Sequence, residues 1–80
     1  MAVLRLFAAA REAAGTGRDE IDAGTVGDVL AAARERYGED FSAVLATANV
    51  WVNGEPAGDH VAVGGGDEVA VLPPVSGGST

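Results

Sequence analysis

Few side chains in this sequence could do chemistry, and most stand where they would do none. Three acidic pairs, Asp19-Glu20, Glu39-Asp40 and Asp67-Glu68, could in principle supply an acid and a base. Each lies beside a turn signal, where charged residues stay solvated. His60 is the only histidine, in a loop marked by Gly58 and Asp59. Without a second histidine or any cysteine, a metal site would rest on carboxylates alone, so His60 reads as a surface residue. Gly64-Gly65-Gly66 is followed by no lysine and by a strand instead of a helix, which argues for a hairpin turn and against a phosphate loop. No serine sits on a strand-to-helix elbow, so a Ser-His-acid triad has little support.

What remains is the stretch Pro73-Pro74-Val75-Ser76-Gly77-Gly78-Ser79-Thr80. Two prolines stiffen the exit from whatever precedes them, and Val75 offers one apolar handle. Gly77-Gly78 is bare backbone that can thread a channel too narrow for any side chain. A frayed terminus has the same composition, so composition leaves both readings open.

The rest of the chain must position that stretch. Eighty residues, 48% of them hydrophobic, are enough for one small folded domain. The absence of cysteine removes disulfides, thiolate metal sites and a cysteine nucleophile. The net charge is −7, with five arginines, no lysine and twelve acidic residues, so phosphate backbones and anionic lipid are repelled. Neither nucleic acid nor membrane is expected as a partner; basic protein surfaces are. Without lysine no side chain here can accept an isopeptide bond. The start, "MAVLRLFAAAREAAG", is broken by Arg5, Arg11 and Glu12 before a signal-peptide core develops, and no run approaches membrane-spanning length. The expected address is the cytoplasm.

Alternation over residues 2–7 predicts a strand with Ala2, Leu4 and Leu6 on the core face and Val3, Arg5 and Phe7 on the other. Residues 8–14 predict a helical turn ended by Gly15 and Gly17, and residues 19–22 a short polar strand with Ile21 inward. Thr25-Val26-Gly27-Asp28 has the pattern of a capping box. The helix it opens carries Val26, Val29, Leu30, Ala33 and Tyr37 on one stripe and stops at Gly38. Phe41, Val44 and Leu45 mark a further short turn of helix. Val50-Trp51-Val52 is a strand with Trp51 facing away from the core, and Asn53-Gly54 signals a type I′ turn. Glu68 to Leu72 is the last strand, ended by the prolines.

This order predicts an α+β domain, a mixed sheet with one main helix packed across one face. Phe7, Trp51 and Leu72 fall on the opposite face. If the first, last and middle strands are neighbours, they form an exposed apolar patch of the kind that marks an interaction surface.

The segments "LFAAAREAAG", "TVGDVLAAARERYG", "VNGEP" and "GDEVAVLPPVSGG", in that order, resemble the MoaD/ThiS family of ubiquitin-like sulfur carriers. The F-A-x-x-R-E and P-P-V-x-G-G features are more similar to the molybdopterin synthase small subunit than to the shorter thiamine-pathway carrier. The resemblance implies a β-grasp fold over residues 1–75 with a tail at 76–80. It also implies that an activating enzyme of the E1 type uses ATP to adenylate the terminal glycine carboxylate. A sulfur donor then displaces AMP and leaves a thiocarboxylate. Carried onto this chain, the sulfur sits on the carbonyl of Gly78, Gly77 is its channel-threading neighbour, and Pro73, Pro74, Val75 and Ser76 form the arm entering the partner. The resemblance also implies that the chain itself binds no cofactor. Catalytic residues are expected on the partners, a molybdopterin synthase large subunit or another sulfur-accepting synthase, so this chain is a co-substrate and not an enzyme.

One departure bears on that reading. The carbonyl of Gly78 lies in an amide with Ser79 and cannot be adenylated as a free acid. Some relatives have short extensions removed by a JAMM-type metalloprotease, which implies cleavage between Gly78 and Ser79; the rival readings are that the dipeptide is foreign to the carrier or that the carrier has lost its role. Three destinations follow: sulfur for molybdopterin; sulfur for cysteine, thiamine or a specialised metabolite; or a ubiquitin-like interaction module or protein modifier without sulfur chemistry.

Overall fold

Alternate side chains of the first strand, β1 (Ala2–Leu6), are fully buried, and this fixes which way the sheet faces. The computed structural model describes residues 1–74; residues 75–80, with the expectations placed on Val75, Ser76, Gly77, Gly78, Ser79 and Thr80, lie outside the described residues. After β1 come α1 (Ala8–Ala14), β2 (Arg18–Ile21), α2 (Val26–Tyr37), α3 (Glu39–Leu45), β3 (Asn49–Val52), β4 (Glu55–Pro56) and β5 (Glu68–Leu72). The five strands form one sheet in the order β2-β1-β5-β3-β4. β5 runs parallel to β1, while the β1/β2, β3/β5 and β3/β4 pairs are antiparallel. This is the mixed sheet of a β-grasp, with the last strand at its centre. No helix among the described residues is long and apolar enough to cross a membrane.

Register brings the core face together. Leu4 pairs with Val69 and Leu6 with Val71, and those valines pair on the other side with Val52 and Val50. Against this surface α2 buries Val26, Val29, Leu30 and Ala33, and α3 adds Phe41 and Leu45. Phe41 is the largest of the fully buried side chains, and its ring centre lies 5.3 Å from that of Tyr37. Such tilted contacts favour aromatic pairs beyond their area burial. α2 starts where expected, with the Thr25 hydroxyl accepting from the Asp28 N–H at 3.1 Å.

Gly27, in the first turn of α2, has a packing reason. A Cβ there would meet the Asp59 backbone oxygen at 3.3 Å, and the Gly27 N–H donates to that oxygen at 2.9 Å. The 57–67 connection is thereby stitched to the helix start, helped by Val26 N–H to Val61 O (2.9 Å) and Val63 N–H to Gly24 O (3.0 Å). At the β3–β4 turn, Asn53 (φ 51°) and Gly54 (φ 87°) both take the positive φ that type I′ requires.

The structure corrects three expectations. The glycine run at 64–66 is not a hairpin turn: β5 lies between β1 and β3, and no strand precedes the run to pair with β5. It is a turn closed by Asp67, whose carboxylate accepts from Gly64 N–H at 2.9 Å. Asp19 is not simply solvated either, because its carboxylate accepts from Tyr37 and Arg36 on α2 and from the Glu20 N–H. Finally, β1 stops at Leu6; Phe7 is the N-cap of α1, and its extended backbone lets the chain turn off the sheet.

Candidate functional site

The site is built at the point where β5 ends. Leu72 is the last strand residue, half-buried; the exposed Pro73 and Pro74 follow, and the strand ends there because neither can donate to the ladder. Phe7 returns to the same place, since its N–H donates to Val71 O at 3.2 Å while α1 folds back beside α3. A small hollow of about 120 Å³ lies between them, walled by Phe7, Ala10, Val44, Leu72 and the two prolines. Phe7 remains 39% exposed, the largest share for any aromatic residue among the described residues. The Arg5 guanidinium lies 5.9 Å from its ring centre, within cation–π range, and 3.8 Å from Glu68.

The hollow has no acid, base or histidine in its wall. It can hold an apolar side chain, but it cannot move a proton. Among the described residues no group of three or more His, Cys, Asp or Glu could hold a metal, and His60 is exposed in its loop.

The displaced titrations have structural causes elsewhere. Burial pushes the Asp19 carboxyl up, but hydrogen bonds from Tyr37, Arg36 and the Glu20 N–H together bring it below its ordinary value. Burial first, then the bond to Asp19, raises the Tyr37 phenol. Asp67 is lowered by its bonds from Asn53 and Gly64. None of these groups lines the hollow.

Of the proposed partner-facing residues, the structure brings Phe7, Leu72, Pro73 and Pro74 together around the hollow, whose wall Trp51 does not join. The first, last and middle strands are indeed neighbours, and Trp51 does lie on the outer face, paired with Ala70. Its row across the sheet continues to Arg5, however, and Leu72 is paired with Asn49. Trp51 is thus a diagonal neighbour of Leu72 on the outer face, but it borders a separate open concavity of about 430 Å³ with Pro56, Ala57 and Asp59. The wall supplied by Ala9, Ala10 and Ala48 was not read from sequence. Alanines carry no signal of what they face, and only the apolar spacing of Phe41, Val44 and Leu45 pointed toward the contribution of α3.

Residues 4–78 match the ThiS family. The chain belongs to the ThiS family. It is thus a ubiquitin-like protein of the ThiS/MoaD type, a family of sulfur carriers and modifiers. SAMP1 from Haloferax volcanii is 38% identical, with a TM-score of 0.77 over 96% of this chain and 98% of that one. The small archaeal modifier protein 1 of Methanosarcina acetivorans is 29% identical, with a TM-score of 0.85 over 96% and 95%. A protein described as molybdopterin converting factor, subunit 1, from Pyrococcus furiosus is 28% identical, with a TM-score of 0.82 over 92% and 97%. No curated protein matches the chain significantly. The small carriers of the ThiS family are not themselves catalytic.

Proposed function

We propose that this chain is a sulfur carrier working at Gly78, released from Ser79-Thr80 by proteolysis and delivering sulfur in molybdopterin synthesis. One observation carries the reading: the family match runs through Gly77 and ends on Gly78, with Ser79 and Thr80 beyond it. Water would cleave the Gly78–Ser79 amide with the help of a JAMM-type metalloprotease, freeing a carboxylate. That carboxylate would attack the α-phosphorus of ATP on an activating enzyme of the E1 type. Pyrophosphate leaves, and a sulfur nucleophile then displaces AMP from the acyl carbon. A carboxylate is a poor electrophile until such a leaving group is attached, and the product is a soft sulfur nucleophile on an arm. The Phe7–Leu72 hollow would seat an apolar side chain of the partner while the arm reaches the partner's active site. The molybdopterin destination is supported by the likeness to the Pyrococcus furiosus converting factor subunit. Work with these partners would take place in the cytoplasm.

A second reading is favoured by the two modifier proteins, one at the highest identity reported above. On that reading the activated Gly78 carbonyl is passed to an amine of another protein. Activation is common to both readings, so the decisive measurement comes after it.

Intact mass of the protein recovered from its own host is the first test. Loss of Ser79-Thr80 with exchange of one terminal oxygen for sulfur is the expected result; an unaltered chain during active sulfur metabolism would overturn the proposal. Co-purification with a molybdopterin synthase large subunit then supports the leading destination. A cysteine or thiazole synthase in its place redirects the sulfur, and Gly78 found joined to lysines of other proteins supports the modifier reading.

A further inference from the structure

The β3–β4 turn holds a reactive pair in a clasp. In Asn53-Gly54 the glycine nitrogen is unhindered by any Cβ and can approach the preceding side-chain amide, which makes this pair chemically labile in an open chain. Here both ends of that amide are occupied. Asn53 Nδ2 donates to Asp67 Oδ1 at 3.1 Å, and Asn53 Oδ1 accepts from the Glu68 N–H at 2.9 Å. The backbone joins in, with Asn53 N–H donating to Glu68 O at 3.0 Å. Asp67 is itself held, its second oxygen accepting from Gly64 N–H at 2.9 Å. The side chain that would have to swing onto Gly54 is thus tied to the start of β5, although the residue is exposed to water.

From this the geometry points to Asn53 as a latent deamidation site, masked by Asp67 and the Glu68 N–H and irreversible once unmasked. Gly54 N bonds to Asn53 Cγ while the Cγ–Nδ2 bond breaks. Ammonia leaves with the proton from Gly54 N, and a cyclic imide remains. Water then opens the imide at either carbonyl, giving aspartate or isoaspartate at position 53; one water is consumed and one ammonia lost.

Either product opposes re-closure. A carboxylate at position 53 has no N–H for Asp67 and brings a second negative charge against it. Isoaspartate adds a methylene to the backbone of a two-residue turn, and the Val52–Glu55 and Trp51–Pro56 pairings cannot keep register around it. Those are all the pairs β4 makes, so this edge of the sheet opens beside Trp51, the only tryptophan of the chain.

The test ages the full chain at neutral pH and follows position 53 by peptide mass and isoaspartate content, beside a free Val-Asn-Gly-Glu-Pro peptide. Two restraining hydrogen bonds lead us to expect loss of the amide on the order of tenfold slower in the protein than in the peptide. Asp67→Ala should bring the rate severalfold back toward the peptide with circular dichroism unchanged. If that variant does not fold, Asp67→Asn serves, because its single carbonyl oxygen can accept from Gly64 or from Asn53 but not both. Trp51 emission should shift in step with product. Equal rates in protein and peptide, or a folded Asp67 variant ageing no faster than the parent, would overturn the inference.

Discussion

Asp19 and Tyr37, eighteen residues apart, are joined by a hydrogen bond from the Tyr37 hydroxyl to Asp19 Oδ2, and Arg36 donates to the same oxygen. An edge-strand carboxylate thereby fastens the last turn of α2 to the sheet. Asp19→Asn should lower stability by about 1 kcal/mol at pH 7, as loss of a charge-assisted bond does. The folded carboxyl is lowered below its ordinary value. Its contribution is therefore present above the unfolded value and lost as pH falls through the folded one. Urea unfolding of both proteins across that acid range should show the difference shrinking toward zero. Tyr37 carries the opposite sign: its raised phenol contributes below the ordinary tyrosine value and loses that contribution as pH rises through the folded value. As the only tyrosine, it can be followed by phenolate absorbance, and Asp19→Asn should bring its titration back toward normal.

At the tail, Gly78→Ala should leave unfolding unchanged and abolish sulfur loading or transfer, because one methyl group would block a channel shaped for bare backbone. Complementation in the host together with intact mass checks both halves. A variant that still restores the pathway would end the channel argument.

Phe7 and Trp51 now separate into different predictions. Phe7→Asp and Leu72→Asp should each weaken partner capture by roughly tenfold or more, as loss of an apolar anchor does at an interface centre. Trp51→Ala, outside the hollow, should change capture far less. Titration calorimetry or pull-down against the activating enzyme distinguishes them, with circular dichroism confirming that each variant is folded.

Inside the domain, Thr25→Ala removes the N-cap of α2 and should cost about 1 kcal/mol, a fall in Tm of roughly 4–8 °C for a domain of this size. Phe41→Ala empties a fully buried site and should cost about 3–5 kcal/mol, close to the whole stability of a small domain. Thermal melts should show the first as a displaced cooperative transition and the second as a broad or absent one.

The parts legible in the sequence were those where a local rule and the global fold agree. The Thr25 cap, the Val26–Ala33 stripe, the Asn53-Gly54 turn and the alternation of β1 each carry their own periodicity or turn chemistry, and all stand in the structure. The glycine run misled because glycines mark a turn without saying which strands flank it; β5 pairs with β1 and β3 through contacts far along the chain. Asp19 looked solvated because its neighbours in sequence are polar, while its partners arrive from α2. β4 was too short to register, two residues held by pairing with β3 and little else.

The placement of β5 also has a mechanical consequence. The strand that leads to the tail is clamped on both sides, by β1 running parallel and β3 running antiparallel. A force applied along the tail while a partner grips the sheet loads both ladders in shear, so their hydrogen bonds resist together and do not unzip singly. A pull on the chain beyond Leu72 would therefore meet two ladders at once, and β5 would be among the last elements to yield.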